Sequence, residues 1–480
     1  MSSPAWLIEL TVDRAQTLFA TGQLTAEQLV TAYLERIAAR NDGPNGLRAV
    51  TEVNPDALQI AAALDRERLI RGPRGPLHGI PVLLKDNIDT SDHLHTSAGS
   101  LALESNLARR DAYLVRRLRT AGCVILGKAS MTEWANFMTD GMPNGYSSRV
   151  GQVRNPYGPF DVGGSSSGSA VAVAANLSML AVGTETSGSI LSPASRNSVV
   201  GIKPTLGWIS RRGIIPIAHS QDTAGPLARS VRDAALLLHA MAGPDRGDPA
   251  TWSTPALQLP PLSPDALRGC RLGVPRHIYC SDLPEHLSGG LAAALAVLRA
   301  AGAEIVDPAE IPSAAREWNE NVLVYEFKPD LNAYLGALSW DVPVHSLREL
   351  IVFNERYRRQ MLRYGQTLLL MAETTSGTLA EPEYIHARLH DLRWSRSEGL
   401  DHAFREDRLD AVLFLNHFGA DIAARAGYPS VSVPAGRTKA GEPFSITFTG
   451  AAFSDARLLS LAYAFEQATQ QRMKPEPQLS

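Results

Sequence analysis

Lysine is scarce in this chain. Only six of its 46 basic side chains are lysines (85, 128, 203, 328, 439 and 474); the rest are arginines. Arginine keeps its proton at working pH, whereas a buried lysine can lose it. A lysine inside an apolar run is therefore a candidate base. Cysteine is scarcer still: Cys123, Cys270 and Cys280, an odd number with no CxxC pair. That pattern argues against a disulfide framework and predicts a reducing, cytoplasmic location. The opening MSSPAWLIEL lacks a basic stretch followed by an apolar run, so no secretory signal is expected. No apolar run reaches the roughly 18 residues of a membrane helix. A charge surplus is missing too. The formal net charge is -3, which leaves no basic footprint for nucleic acid or for a membrane surface.

What is present is an ordinary soluble composition, 44% hydrophobic over 480 residues, enough for a large core. The spacing predicts two helices over 10–40 and another over 55–70, the stretch TAEQLVTAYLERIAAR opening like a capping box. Gly79-Ile-Pro-Val-Leu-Leu-Lys85 is a short apolar run between Gly and Pro, the form of a buried strand. A helix, an Ala-Gly break and a strand follow in AYLVRRLRTAGCVILGK, and the same grammar returns at 290–306. Further strands are expected at 180–183, 271–274, 411–416, 430–433 and 444–448. Helices alternating with apolar strands predict an α/β fold with a mixed, largely parallel sheet between helical layers. One domain over 1–480 is expected: a helical section at 1–75, a core at 76–240, a variable, mainly helical part at 241–400, and strands with a helix at 401–480. The Pro-, Asp- and Gly-rich segment 243–266 reads as a surface excursion. The helical stretch 312–400 carries no readable motif and is taken as cover for the sheet rather than a substrate-facing insertion.

The densest signal lies in 163–204, where two Gly/Ser clusters, GGSSSGS and TETSGS, flank a small-residue helix and one strand. A bare Gly/Ser run is usually a linker. Here both clusters are locked between core-like elements, at a helix start and a strand end, which is where α/β sheets place ligand sites. Acyl transfer to a serine needs a hydroxyl, a base, and N–H donors for the developing oxyanion. Thr186-Ser187-Gly188-Ser189 supplies hydroxyl and donors together. No histidine lies near, so the base is open. Lys85 closes an apolar strand and would be neutral if desolvated; equally, it could cap the strand end and pair with Asp86 or Asp89.

GIPVLLKDNIDT, GGSSSGSAVAVAAN, GTETSGSILSPAS and GIKPTLG together resemble the amidase signature family. Coverage is about 10–240 and 405–470, with PLHGIPVLLKDNIDT, HTSAGSLAL, LGKASMTEWANF, SSRVGQVRNPY, HSQDTAGPLARSVRDAALLL and AGYPSVSVPAG also similar. The resemblance implies a Ser–cis-Ser–Lys set: Lys85 as base, Ser165 as proton relay after a cis Gly164–Ser165 peptide, and Ser189 as nucleophile. The 24-residue step from Ser165 to Ser189 is the family's step. Thr186, Ser187 and Gly188 are the implied oxyanion and substrate-binding residues. HTSAGSLAL, TEWANF and the GTET form lean toward the branch of peptide amidases. Two departures matter. Leu191 stands where the family often has Arg, which weakens a tRNA amidotransferase assignment, and Ser187 stands where it often has Gly, which leaves substrate size open. Asp222, in DTAGP, either fixes the loop near the serines or caps a turn.

Rival patterns are weaker. Gly164-Ser165-Ser166-Ser167-Gly168 matches GxSxG with Ser166 as nucleophile, yet the preceding 151–162 reads as loop rather than strand. His386 and His390 sit at i, i+4, but Ala387 replaces the Glu of a zinc helix, so a solvated face is expected. No SxxK arrangement and no phosphate loop is present. The expectation is hydrolysis of a carboxamide to a carboxylate and ammonia, with no metal, cofactor, nucleic acid or membrane partner. Peptide C-terminal amides come first as substrate and small aryl or alkyl amides second; a homodimer is left open. The rivals from other classes are a glutamyl-tRNA amidotransferase component that works only within a complex and a non-catalytic binding protein.

Overall fold

The computed structural model describes residues 4–475. Its strands are β1 (Val50–Val53), β2 (Pro81–Lys85), β3 (Val124–Ala129), β4 (Tyr146–Ser147), β5 (Gly151–Gln152), β6 (Leu180–Glu185), β7 (Val200–Lys203), β8 (Thr223–Ala228), β9 (Arg271–Gly273), β10 (Glu304–Val306), β11 (Ala411–Leu415), β12 (Ser430–Arg437) and β13 (Pro443–Thr449). Eleven of them form one sheet in the order β1-β3-β2-β6-β8-β7-β12-β13-β11-β9-β10; β4 and β5 pair separately. The sheet is mixed. Parallel pairing joins β3, β2 and β6 at one side and β11, β9 and β10 at the other, where helix–turn–strand units recur. The remaining neighbours are antiparallel, so that share is larger than the helix–strand alternation implies. The excess comes from β1, β7 and β8, which the sequence pattern does not mark as strands, and from the pairing of β13 with β12 and β11.

The expected helices stand at Val12–Ala20, Ala26–Arg40, Ala57–Arg71, Tyr113–Thr120 and Glu285–Ala300, and the capping box at Thr25 and Gln28 is formed. No helix among the described residues is long and apolar enough to cross a membrane. Every residue of β2, β3 and β6 is buried, as expected of strands covered on both faces.

The helix Ser167–Ala174 (SGSAVAVA) is buried along its whole length. Its small side chains let its backbone lie against the sheet. The Gly168 N–H donates to the Ser130 carbonyl at 2.8 Å, and a Cβ at this position would stand 2.4 Å from the carbonyl oxygens of Ala49 and Ser130. Backbone cannot yield as a flexible side chain can. Gly168→Ala is expected to destabilise the fold by about 3 kcal/mol, at the upper end for overpacking. A thermal melt checks this; a Tm equal to that of the parent would contradict the tight approach.

The helical stretch departs from its expected role. Helices Asn321–Leu335, Leu347–Arg356 and Thr367–Glu373 do not cover the sheet. Their apolar residues, Phe327, Leu331, Leu347 and Leu369 among them, form a second core with Trp134, Phe137, Met138, Ile215 and Ile217. Phe137 and Phe327 meet at 4.7 Å between ring centroids. The stretch thus packs on loops that leave the strand ends, and it reaches the site. The reason is complementarity: the loops 98–138 and 215–218 present apolar side chains of their own that need a partner. The segment 243–266 contains only a 3-10 turn, Pro249–Thr251, and its Asp245 and Asp248 hold Arg212 and Arg211.

Candidate active site

Strands β2 and β6 run parallel as neighbours, with Leu84 paired to Val182, so Lys85 and Thr184 leave the sheet side by side. Lys85 is fully buried. Its Nζ lies 2.7 Å from Ser165 Oγ, 2.8 Å from Thr184 Oγ1 and 3.0 Å from the Thr184 carbonyl. Burial lowers its pKa to about 7; Glu185 and then Asp222 pull the other way. Neither Asp86 nor Asp89 pairs with it. Asp86 binds Ser97 and Arg149, and Asp89 accepts from the Tyr334 hydroxyl at 2.7 Å. Lys128 and Lys203 are equally buried at strand positions, but Lys128 donates to the Ile88 carbonyl and the Thr96 hydroxyl, and Lys203 to the carbonyls of Pro204 and Tyr428. Lys85 differs from them in reaching a serine hydroxyl.

The Gly164–Ser165 peptide is cis, as the resemblance implied. Ser165 is buried, and its carbonyl accepts from the Thr132 N–H at 3.1 Å. The Ser166 N–H donates to the Ser189 carbonyl at 3.1 Å, which sets the two serine-bearing turns against each other. The structure thus brings Lys85, Ser165 and the turn bearing Ser189 together. Ser166 is held elsewhere: its Oγ donates to the Thr184 carbonyl at 3.0 Å and accepts the Thr184 N–H at 3.2 Å. A buried hydroxyl bonded to one strand residue in both directions does not fit the nucleophile of a GxSxG elbow.

The turn 186–189 is fixed from several sides. Gly188 has φ +75°, a conformation that favours glycine. The buried Glu185 carboxylate accepts the N–H groups of Ile190 at 2.6 Å and Leu191 at 3.0 Å. Thr186 Oγ1 donates to Asp222 at 2.5 Å, and the other oxygen of Asp222 accepts the N–H groups of Ile217 and Ala218. Asp222 therefore does both things proposed for it, holding the serine loop and capping a turn. Burial raises its pKa to about 6, opposed by these hydrogen bonds. The Ser187 hydroxyl donates to Asp421. Among the described residues, the N–H groups of Ser187 and Ser189 have no protein acceptor. A hydroxyl, an amine of lowered pKa and free backbone donors in one place are the requirements of acyl transfer.

The sequence reading missed Glu185, Asn87 and the full part played by Thr184. Asn87 donates to Thr184 Oγ1 at 3.0 Å and so orients the hydroxyl that Lys85 uses. The signals were there, since Asn87 stands two residues after Lys85 and Glu185 ends β6. A cavity of about 440 Å³ adjoins this group, lined by Asn87, Thr184, Thr186 and Asp222 and by Asp330 and Tyr334 of the helix Asn321–Leu335. His386 and His390 are solvent-exposed, His390 stacking on Trp394. The one His/Asp/Glu group with metal-ligand spacing among the described residues is His219, Glu326 and Asp330, in which the His219 ring pairs with both carboxylates.

Comparison with known proteins agrees with this arrangement. A probable amidase of Arabidopsis thaliana is 42% identical, over 99% of this chain and 93% of that protein. The native peptide amidase from Stenotrophomonas maltophilia superposes with a TM-score of 0.91 at 45% identity, over 99% of this chain and 100% of that one. A glutamyl-tRNA(Gln) amidotransferase component from Ralstonia nicotianae is 35% identical, over 94% of this chain and 96% of that protein. Fold and relatives together define a hydrolase acting on amides. The chain belongs to the amidase signature family, whose model, described as Amidase, matches residues 28–459.

Proposed function

We propose that the chain is a peptide amidase, releasing ammonia from C-terminal peptide amides through an acyl-enzyme on Ser189. The observation that carries this reading is the placement of the Lys85 amine. A neutral amine has two N–H groups and one lone pair. Two of its three close contacts, the carbonyl and hydroxyl oxygens of Thr184, accept N–H bonds, which leaves the lone pair for the proton of Ser165 Oγ at 2.7 Å. Lys85 takes that proton as Ser165 takes the proton of Ser189. Ser189 Oγ then bonds to the amide carbon. The N–H groups of the 186–189 turn hold the oxyanion, with Thr186, Ser187 and Gly188 as its frame. The C–N bond breaks as the proton returns through Ser165 to the leaving nitrogen, and ammonia departs. Water, activated by the same relay, releases the carboxylate. The chain acts as a single amidase domain, 1–480, in the cytoplasm.

The peptide substrate is supported by the likeness to the Stenotrophomonas maltophilia enzyme over the whole chain, ahead of small aryl or alkyl amides. The likeness to the amidotransferase component favours a second reading, action inside a complex. Leu191 in place of the family's frequent Arg speaks against it. The test is ammonia release by the purified chain from amidated dipeptides, benzamide, acetamide and long-chain amides. Release from dipeptide amides without a partner protein is expected. Ser189→Ala should abolish that release and labelling by a fluorophosphonate together. Labelling that survives the substitution would move the nucleophile elsewhere.

A further inference from the structure

A second cavity, of about 620 Å³, adjoins Ser187 and Gly188. Its walls include Leu283 and Phe418; its charged lining is Asp282 and Asp421, with no lysine or arginine. His417 completes it. The ring edge lies against the turn, its Cδ2 3.6 Å from the place of a Gly188 Cβ. Its Nδ1 is buried and has no hydrogen-bond partner. Burial first, then Arg196, hold its pKa down to about 4, so it adds no positive charge at neutral pH. Arg196 itself is paired with Glu442. Asp421 is fastened to the turn by the Ser187 hydroxyl, at the position where this chain departs from the family's frequent glycine.

We infer that this cavity receives the acyl residue next to the scissile bond and selects peptide amides in which that residue is lysine or arginine. The inference rests on the reading of Ser189 as the nucleophile, because that places the acyl carbon at the cavity's edge. The methylene stem of a basic residue would lie along Leu283 and Phe418. Its cationic head would meet Asp421 and Asp282. An apolar residue gains the stem contact alone. A glutamate residue would face two like charges with no cation in the lining, which is how a site rejects a wrong partner.

The experiment measures kcat/KM by ammonia release for N-acetyl dipeptide amides ending in arginine, leucine or glutamate, with the parent chain, Asp421→Asn and Ser187→Ala. The parent is expected to prefer arginine over glutamate by about tenfold, the upper end of what two ion pairs with the exposed Asp282 and Asp421 supply, with leucine between. Asp421→Asn should shrink the arginine-to-leucine ratio several-fold. Ser187→Ala removes the tether and keeps the carboxylate, so its ratio should stay near the parent's. If Asp421 merely holds the turn, both variants will slow all three substrates alike with the ratio intact, which overturns the inference. Equal parent rates on the three amides overturn it as well, while leaving the amidase reading in place. Absence of ammonia from every peptide overturns that reading and this inference together.

Discussion

Lys85→Ala is expected to lower kcat on an amidated dipeptide by about three orders of magnitude, the scale of a lost general base, in a chain that still folds. The amine is the one group placed to take a proton from Ser165, and nothing else titratable touches that hydroxyl among the described residues. Folding should survive because burying the amine is itself unfavourable, as its lowered pKa records. The change removes that cost along with three hydrogen bonds. Circular dichroism and the melting profile separate loss of activity from loss of fold. The parent's pH profile is the companion measurement. The base works only when neutral, so kcat/KM should rise with pH and level off, with a midpoint near 7, the value to which burial brings the amine. Lys85→Met, which keeps most of the volume, should lose the activity as Lys85→Ala does. A variant retaining a tenth of the parent's rate would remove Lys85 from the proton path.

Glu185→Ala should have the largest effect on stability. The carboxylate is fully buried and accepts two N–H groups of the segment that carries Ser189. Removing it strands both donors, opens a cavity and deprives the buried Lys203 of the opposing charge that acts on it most strongly. The expected loss is about 3–5 kcal/mol, the range for breaking a buried charged hydrogen-bond set. Denaturant unfolding reads it directly. Surviving folded enzyme should show reduced kcat more than raised KM, because the turn that frames the oxyanion has lost its anchor. Glu185→Gln keeps the volume and one acceptor and should fall between the parent and the alanine variant. If Glu185→Ala melts with the parent, the carboxylate does not organise the turn.

The chemical core was legible because its parts lie in compact motifs. The two Gly/Ser clusters and the GIPVLLK strand marked the region, their resemblance to the family singled out Lys85, Ser165 and Ser189, and the structure brings those elements together. Burial pattern alone does not separate Lys85 from Lys128 or Lys203, since all three end apolar runs in the same way. Only the partner distinguishes them, and the partner is about 80 residues distant for Lys85. Asp421 bonds Ser187 from 234 residues away, a pairing no local pattern announces. Strand β8 went unread because Gly225-Pro226 breaks the apolar alternation by which strands are recognised. The helices of 312–400 were seen as helices, but their apolar faces gave no indication of which surface they would meet.

The helix Ser167–Ala174 holds no side chain larger than valine and has no exposed face. Such an element has no slack. A bulkier residue at Gly168 would press on the carbonyl oxygens of Ala49 and Ser130, and backbone cannot turn aside as a side chain can. Variation in which amides are accepted is therefore expected in the outer helices and loops, around 280–284, 326–334 and 417–421, where side chains line the cavities. Much of what would select the substrate thus lies outside the strand and helix that hold Lys85 and Ser165, and can change while they stay still.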